Sequence, residues 1–325
     1  PTPPSSNRRQ RQMCIRDRSN VNPNTGRYHG FIESYAPTVI TYRKDIWDAV
    51  GTVPKTWDNI RKAGRAAKLL HEMPVGVSMA SEHNANHSLR ALMTAFGSFV
   101  QDENGRPALS SANTLEALKF GKMLFEETMS PETLSWSPPS NNQAMLAGTL
   151  SLTIDTMSII RAAEAKQLPV EPTLALSTLP EGPYGRGGPA YATNTYVIWR
   201  FARNIDGAQK FLLDYIGAFR QGLVESGFQN MPSFPGAVGD LPDLIRASSQ
   251  NGDRYNVLLD VPDSLTNLGF PGYSNAATDE VLNRHIIPEM FARVTTAAAT
   301  PQEAMDLASA AIIPIFEKWR EAGKI

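Results

Sequence analysis

The chain has 325 residues, 42% hydrophobic and 19% charged, which is enough to bury a sizeable core and suggests about two domains. With 31 Lys+Arg against 32 Asp+Glu the net charge is −1, so nothing points to a nucleic-acid partner. No apolar run is long enough to cross a bilayer, and nothing at the start resembles a signal peptide.

Residues 1–18 form a Pro/Ser/Arg-rich string without periodicity, holding five of the basic residues and one acid. Met13-Cys14-Ile15-Arg16-Asp17-Arg18 back-translates to ATG-TGT-ATA-AGA-GAC-AG plus a purine, which resembles the transposon end used in making sequencing libraries. Residues 1–18 are therefore expected to be a non-native scar or a disordered leader; uninterrupted coding sequence through Met13 at the genomic locus would refute the scar. Without them the charged residues number 26 basic and 31 acidic, a net charge near −5. Cys14, the only cysteine, goes with them, leaving no thiol for a disulfide, metal site or nucleophile.

From Tyr28 the pattern alternates strand and helix. A β-branched strand is predicted over 37–42 and a short helix over 44–50, ending at Gly51. Thr56 should cap a helix burying Trp57, Ile60, Gly64, Ala67 and Leu70. A strand over 75–79 and a buried helix over 87–99 follow, and Asn113 with Glu116 reads as a capping-box start for a helix through Phe125. Residues 142–147 read as a helix closed by Gly148, 149–154 as a strand, and 158–164 as the next helix. An edge strand is expected within 167–178, a loop over 179–188, a strand over 191–199 and one long helix over 206–224 with Phe211, Leu212, Tyr215 and Phe219 on one face. Short helices fill 228–272. A last helix opens at Thr300-Pro301-Gln302-Glu303 and should kink at Pro314.

Several of these segments together resemble the extracellular solute-binding proteins of ABC importers, in the sugar-binding, two-lobed class. They are Tyr42-Arg43-Lys44-Asp45-Ile46-Trp47 with Pro54-Lys55-Thr56-Trp57-Asp58, then Ala144-Met145-Leu146-Ala147-Gly148, and Leu179-Pro180-Glu181-Gly182-Pro183. Tyr196-Val197-Ile198-Trp199 with Ala208-Gln209-Lys210-Phe211-Leu212, and Pro271-Gly272-Tyr273-Ser274-Asn275, complete the order up to Trp319. The resemblance implies an α/β, two-lobed periplasmic-binding-protein type II fold with several interlobe crossings and an incomplete first lobe. Residues 19–42 and 194–268 would be the remnant of the N-terminal lobe, and 43–193 and 269–325 the C-terminal lobe. Strands near Val39-Ile40 and Val197-Ile198 should then show bare apolar surface. The implied role is capture of a small sugar or polyol in an interlobe cleft and its delivery to ABC permease membrane subunits, by a monomer outside the cytoplasmic membrane, without a cofactor.

The strand-to-helix turn after Ile154 is where ligands bind in open α/β sheets, so Asp155 and Ser158 are expected to face the cleft. Asp155 could hold sugar hydroxyls or serve as a helix N-cap. Tyr35, on the loop before the first crossing, Asn194 at the return crossing and Tyr273 at a rigid corner are further candidate contacts; Gly187 and Gly188 would let backbone approach a ligand. Many oligosaccharide binders place an aromatic ring after this strand, whereas this chain has Asp155-Thr156-Met157-Ser158, which favours a smaller ligand held by hydrogen bonds. His83 and His87 share a helix face at zinc-pair spacing, but no third ligand is evident beyond Glu82, so no metal is expected. The alternatives are a secreted carbohydrate-active enzyme, which would need a second carboxylate near Asp155, and the ligand-sensing subunit of a receptor.

Overall fold

The computed structural model describes residues 20, 25–248 and 253–325; the expected leader over 1–18 lies outside them. Among the described residues, three small sheets organise the chain. The first is three-stranded, with β1 (Phe31–Ala36) between β7 (Tyr191–Tyr196) and β8 (Met231–Pro232), both antiparallel to it. The second runs β3 (Val75–Gly76), β4 (Leu152–Asp155), β2 (Val39–Arg43), β5 (Leu174–Ser177), and only the β3/β4 pair is parallel. β6 (Gly188–Pro189) pairs with β9 (Leu265–Thr266). Pro37-Thr38 joins β1 to β2 and Ala190 joins β6 to β7, so the chain crosses between sheets at two closely spaced places.

The four-stranded sheet is buried on both faces, and strand alternation sorts its side chains. Ile40, Tyr42, Leu152 and Ile154 join a helical core, built from α1 (Lys44–Ala49), α2 (Trp57–His71), α3 (His83–Ala95) and α4 (Ala112–Thr128). Helices α10 (Ala276–Asn283), α11 (Ile286–Thr295) and α12 (Pro301–Glu321) complete it, and Trp47, Trp57, Phe291 and Phe316 are its largest fully buried side chains. Val39, Leu174 and Leu176 face a second core with Met145 of α5 (Ser140–Leu146), Ile159 and Ile160 of α6 (Ser158–Ala165), and Phe219 and Leu223 of α8 (Phe219–Glu225). Ile245 of α9 (Leu241–Ala247), Tyr255, Leu258 and Leu265 pack there too, so residues expected in the first lobe share a core with β5 and α6.

Several expectations need correction. Leu70 is 75% exposed, because the last turn of α2 overhangs the core before Glu72 ends it in a left-handed conformation. Helix α3 begins at His83, four residues early, because the Glu82 carboxylate accepts from the Asn84 and Ala85 amides, and it stops before Gly97 at φ +73°. Ser111 caps α4 by accepting from the Thr114 amide, while Asn113 donates to the Gly97 carbonyl. The helix expected over 206–224 breaks at Ala218 into α7 (Ile205–Gly217) and α8. Val39 and Ile40 are fully buried, contrary to the expected bare face there.

Bare apolar surface does occur at Val197, 47% exposed, and continues through Trp199 at 63%, Phe201 at 81% and Phe211 at 64%. None of α7's residues is buried. Trp199 stacks on Phe201, and Phe211 stacks on Tyr215, whose hydroxyl donates to the buried Glu33 at 2.8 Å.

Candidate ligand cleft

A cavity of about 500 Å³ opens where β1 and β7 meet the start of α3 and the segment leading into α10. Ile32, Tyr35 and Thr195 form one wall, His83 and His87 the second, and Asn267, Ser274, Asn275 and Asp279 the third. Its size and its amide and hydroxyl lining suit a small polar solute.

Each wall is fixed by ordinary local chemistry. Tyr35 is almost fully buried between two flanking strands, and burial pushes its phenol far above the usual range, so the hydroxyl remains a neutral donor and acceptor. His83 and His87 lie one turn apart, with ring centroids 5.3 Å apart. His87 is buried against the Pro189 carbonyl; burial, then His83 and Arg90 nearby, hold its pKa well below 6.5.

The third wall is a braced loop. The Asn267 side chain donates to the Gly272 carbonyl at 3.2 Å and accepts from the Gly269 amide at 2.7 Å and the Ser274 hydroxyl at 3.2 Å. Asn275 caps α10 in a capping box with Thr278, and its amide nitrogen donates to Gln101 Oε1 at 2.7 Å. Gln101 is fully buried, and its Nε2 donates to the Gly269 and Tyr273 carbonyls at 2.6 and 2.8 Å.

His87 gives the molecule a definite acid response. Below about pH 6.5 the unfolded chain takes up a proton that the folded chain refuses, so stability falls as pH drops from that value toward the folded-state pKa. We expect the Tm difference between wild type and His87→Gln to shift against the wild type between pH 7.5 and 5; parallel curves would remove His87 as the cause.

Of the residues expected from sequence, Tyr35 lines this cavity. Tyr273 adjoins the lining residue Ser274, and its carbonyl accepts from Gln101. Asn194 lies in β7, with its side chain outside the described residues. Gly187 and Gly188 are not among the lining residues: a Cβ at 188 would stand 2.8 Å from Ala91 Cβ, and one at 187 would stand 2.7 Å from Thr94 Cγ2. Their service is to let the chain lie against α3.

Asp155 and Ser158 are placed elsewhere, against α5. Asn141 donates to Asp155 Oδ2 at 2.5 Å, the Thr156 amide donates to Oδ1 at 2.6 Å, and Asn142 donates to Ser158 Oγ at 3.0 Å. Burial raises the Asp155 pKa, Glu82 adds to the rise, and the Asn141 and Thr156 bonds oppose it. Glu82, the neighbouring carboxylate, spends both oxygens capping α3. Sequence reasoning does not single out Asn267, Ser274 or Asn275 as contacts; the Pro271-to-Asn275 corner is the signal that points to the last two.

A larger groove of about 920 Å³ runs beside α6 and α8. Its charged groups satisfy one another: Arg254 pairs with Glu171 at 2.5 Å and Glu164 at 3.4 Å, Arg161 pairs with Glu164 at 2.6 Å, and the Tyr255 hydroxyl donates to Glu164. In the smaller cleft, by contrast, polar groups converge from three elements.

Residues 19–214 match the model of the bacterial extracellular solute-binding proteins. The chain belongs to that family. Its members are binding proteins of ABC transporters rather than enzymes, and they work outside the cytoplasmic membrane. Among curated proteins it is similar to the arabinooligosaccharide-binding protein of Bacillus subtilis (strain 168), 23% identical over 93% of this chain and 71% of that one. Among solved structures it resembles maltose-bound T. maritima MalE3, with a TM-score of 0.72 and 16% identity over 90% of this chain and 76% of that one. A solute-binding protein of Thermotoga lettingae, bound with α-D-tagatose, matches with a TM-score of 0.71 and 18% identity over 91% and 76%. This solute-binding protein thus has the MalE-like type II fold anticipated from its motifs.

Proposed function

We propose that the protein captures a sugar, polyol or similar hydroxyl-rich solute in the cleft at Tyr35 and delivers it to the membrane permease of an ABC importer. The convergence of Tyr35, Thr195, Asn267, Ser274 and Asn275 on one cavity of about 500 Å³ carries this reading. Neutral hydroxyls and amides can donate and accept at once, as sugar hydroxyls require, and closely spaced crossings between sheets suit hinge closure. The sugars bound by the relatives support the same class. With Tyr35 as the one phenolic ring and neither Trp nor Phe among the described lining residues, hydrogen bonds rather than stacking on a large ring provide the grip.

A thermal-shift screen against sugars, polyols and amino acids tests the proposal. At least one sugar or polyol should raise Tm without being consumed, and Tyr35→Phe should weaken it about tenfold, the worth of one hydrogen bond of about 1.4 kcal/mol. Stabilisation by amino acids alone, or consumption of the added compound, would refute it.

We further propose that 19–42 and 194–268 contribute to one lobe and 43–193 and 269–325 to the other, with the second core lying where the two meet, and that further polypeptide of the intact protein covers the apolar face from Val197 to Tyr215. Support comes from that face itself, since monomeric proteins rarely expose such contiguous apolar patches. Oxidative footprinting of the protein expressed from the uninterrupted gene should show Phe201 and Phe211 protected about fivefold or more relative to the 325-residue chain. Equal labelling in the two would sink the idea.

A further inference from the structure

Arg90, on the buried side of α3, is only 6% exposed. Its Nη1 donates to the Leu268 carbonyl at 2.9 Å, while its Nε and Nη2 are buried without a hydrogen-bond partner. Among the described residues no carboxylate forms an ion pair with it; the charge that reaches it is that of Asp279, which holds Asn283 at 3.0 Å. Burial lowers the Arg90 pKa to about 10, which leaves the guanidinium charged at neutral pH. Arg90 also lines a cavity of about 20 Å³, together with Thr94, Ser98, Phe99, Asn267 and Phe270. That is room for about one water-sized particle.

A buried cation with two unused donors is costly, and water would satisfy the donors without neutralising the charge. Thr94 Oγ1 already donates to the Arg90 carbonyl and Ser98 Oγ is bonded to Thr114 Oγ1, so neither hydroxyl is a counter-charge. We propose that this cavity binds one small monovalent anion of chloride size, held by Arg90 Nε and Nη2. The cavity and the solute cleft share Thr266, Asn267 and Leu268, so an anion there would brace the loop that forms the third wall of the cleft. The site stands independently of which solute the cleft takes.

The test uses the whole chain at constant ionic strength, exchanging methanesulfonate, which is too large for the cavity, for chloride. Tm should rise by about 2 °C or more up to 0.2 M chloride. Arg90→Met, which replaces a buried charge with an apolar side chain of similar length, should abolish that dependence. Crystals grown in bromide should show an anomalous peak within hydrogen-bonding distance of Arg90 Nη2, a readout that stands even if the variant does not fold. A water oxygen without anomalous signal at that position, or the same chloride dependence in wild type and Arg90→Met, would overturn the proposal.

Discussion

Trp47→Ala is expected to lower the free energy of unfolding by about 3–5 kcal/mol, the usual cost of deleting a fully buried tryptophan. Trp47 is 0% exposed and fills the space between α1 and the four-stranded sheet, packing edge-on against Tyr42 with ring centroids 6.2 Å apart. Its indole N–H donates to the Ser151 carbonyl at 3.0 Å, but that carbonyl also accepts from the Arg43 amide at 2.8 Å. Loss of the hydrogen bond therefore leaves no orphaned acceptor, and volume dominates the effect. Trp47→Phe, which removes the N–H but keeps a ring, should cost only about 1–2 kcal/mol. Chemical denaturation of the two variants decides: similar losses would show that the hydrogen bond, not the packing, anchors α1.

Gln101→Ala is expected to act on both stability and solute binding. Gln101 joins Gly269, Tyr273 and Asn275 through three hydrogen bonds of 2.6 to 2.8 Å. After truncation the Tyr273 carbonyl and the Asn275 amide still have each other at 3.3 Å, whereas the Gly269 carbonyl loses its side-chain donor. One orphaned buried acceptor together with lost packing should cost about 2–4 kcal/mol. Amides of residues 267–275 should exchange faster with deuterium, and affinity for a solute found in the thermal-shift screen should fall about tenfold or more, since Asn267, Ser274 and Asn275 would no longer be held in place. Gln101→Glu separates chemistry from volume. It keeps the acceptor facing Asn275 but turns a carboxylate oxygen toward two carbonyl oxygens, so it should be at least as damaging as alanine. A near-native Gln101→Glu would show that Gln101 only fills space.

Local chemistry made much of this fold legible. The Thr56 cap, the stop at Gly148, a strand between Gly148 and α6 and the capping box at Thr300 depend on residues within a few positions of one another, and each occurs in the structure. The α3 boundary lies four residues before the expected one because the Glu82 carboxylate supplies two amides with an acceptor and so starts the helix ahead of the apolar stretch. Leu70 misled because periodicity says which face a residue shares but not where the core beneath it ends.

By itself the sequence determined the family and its α/β type II fold, since short motifs in a fixed order reflect backbone requirements that each segment meets locally. It also determined Tyr35 as a cleft candidate, through the position of that residue at a crossing. Only the tertiary structure decided which polar groups face the cavity. Asp155 and Ser158 sit at the expected strand-to-helix turn, yet Asn141 and Asn142, fourteen and sixteen residues away, claim their oxygens. Asn267 and Asn275 belong to the cleft because Gln101, more than 160 residues distant in the chain, fixes their loop. Hydrogen bonds are short-ranged in space and indifferent to sequence separation, so partners of this kind become visible only once the chain has folded.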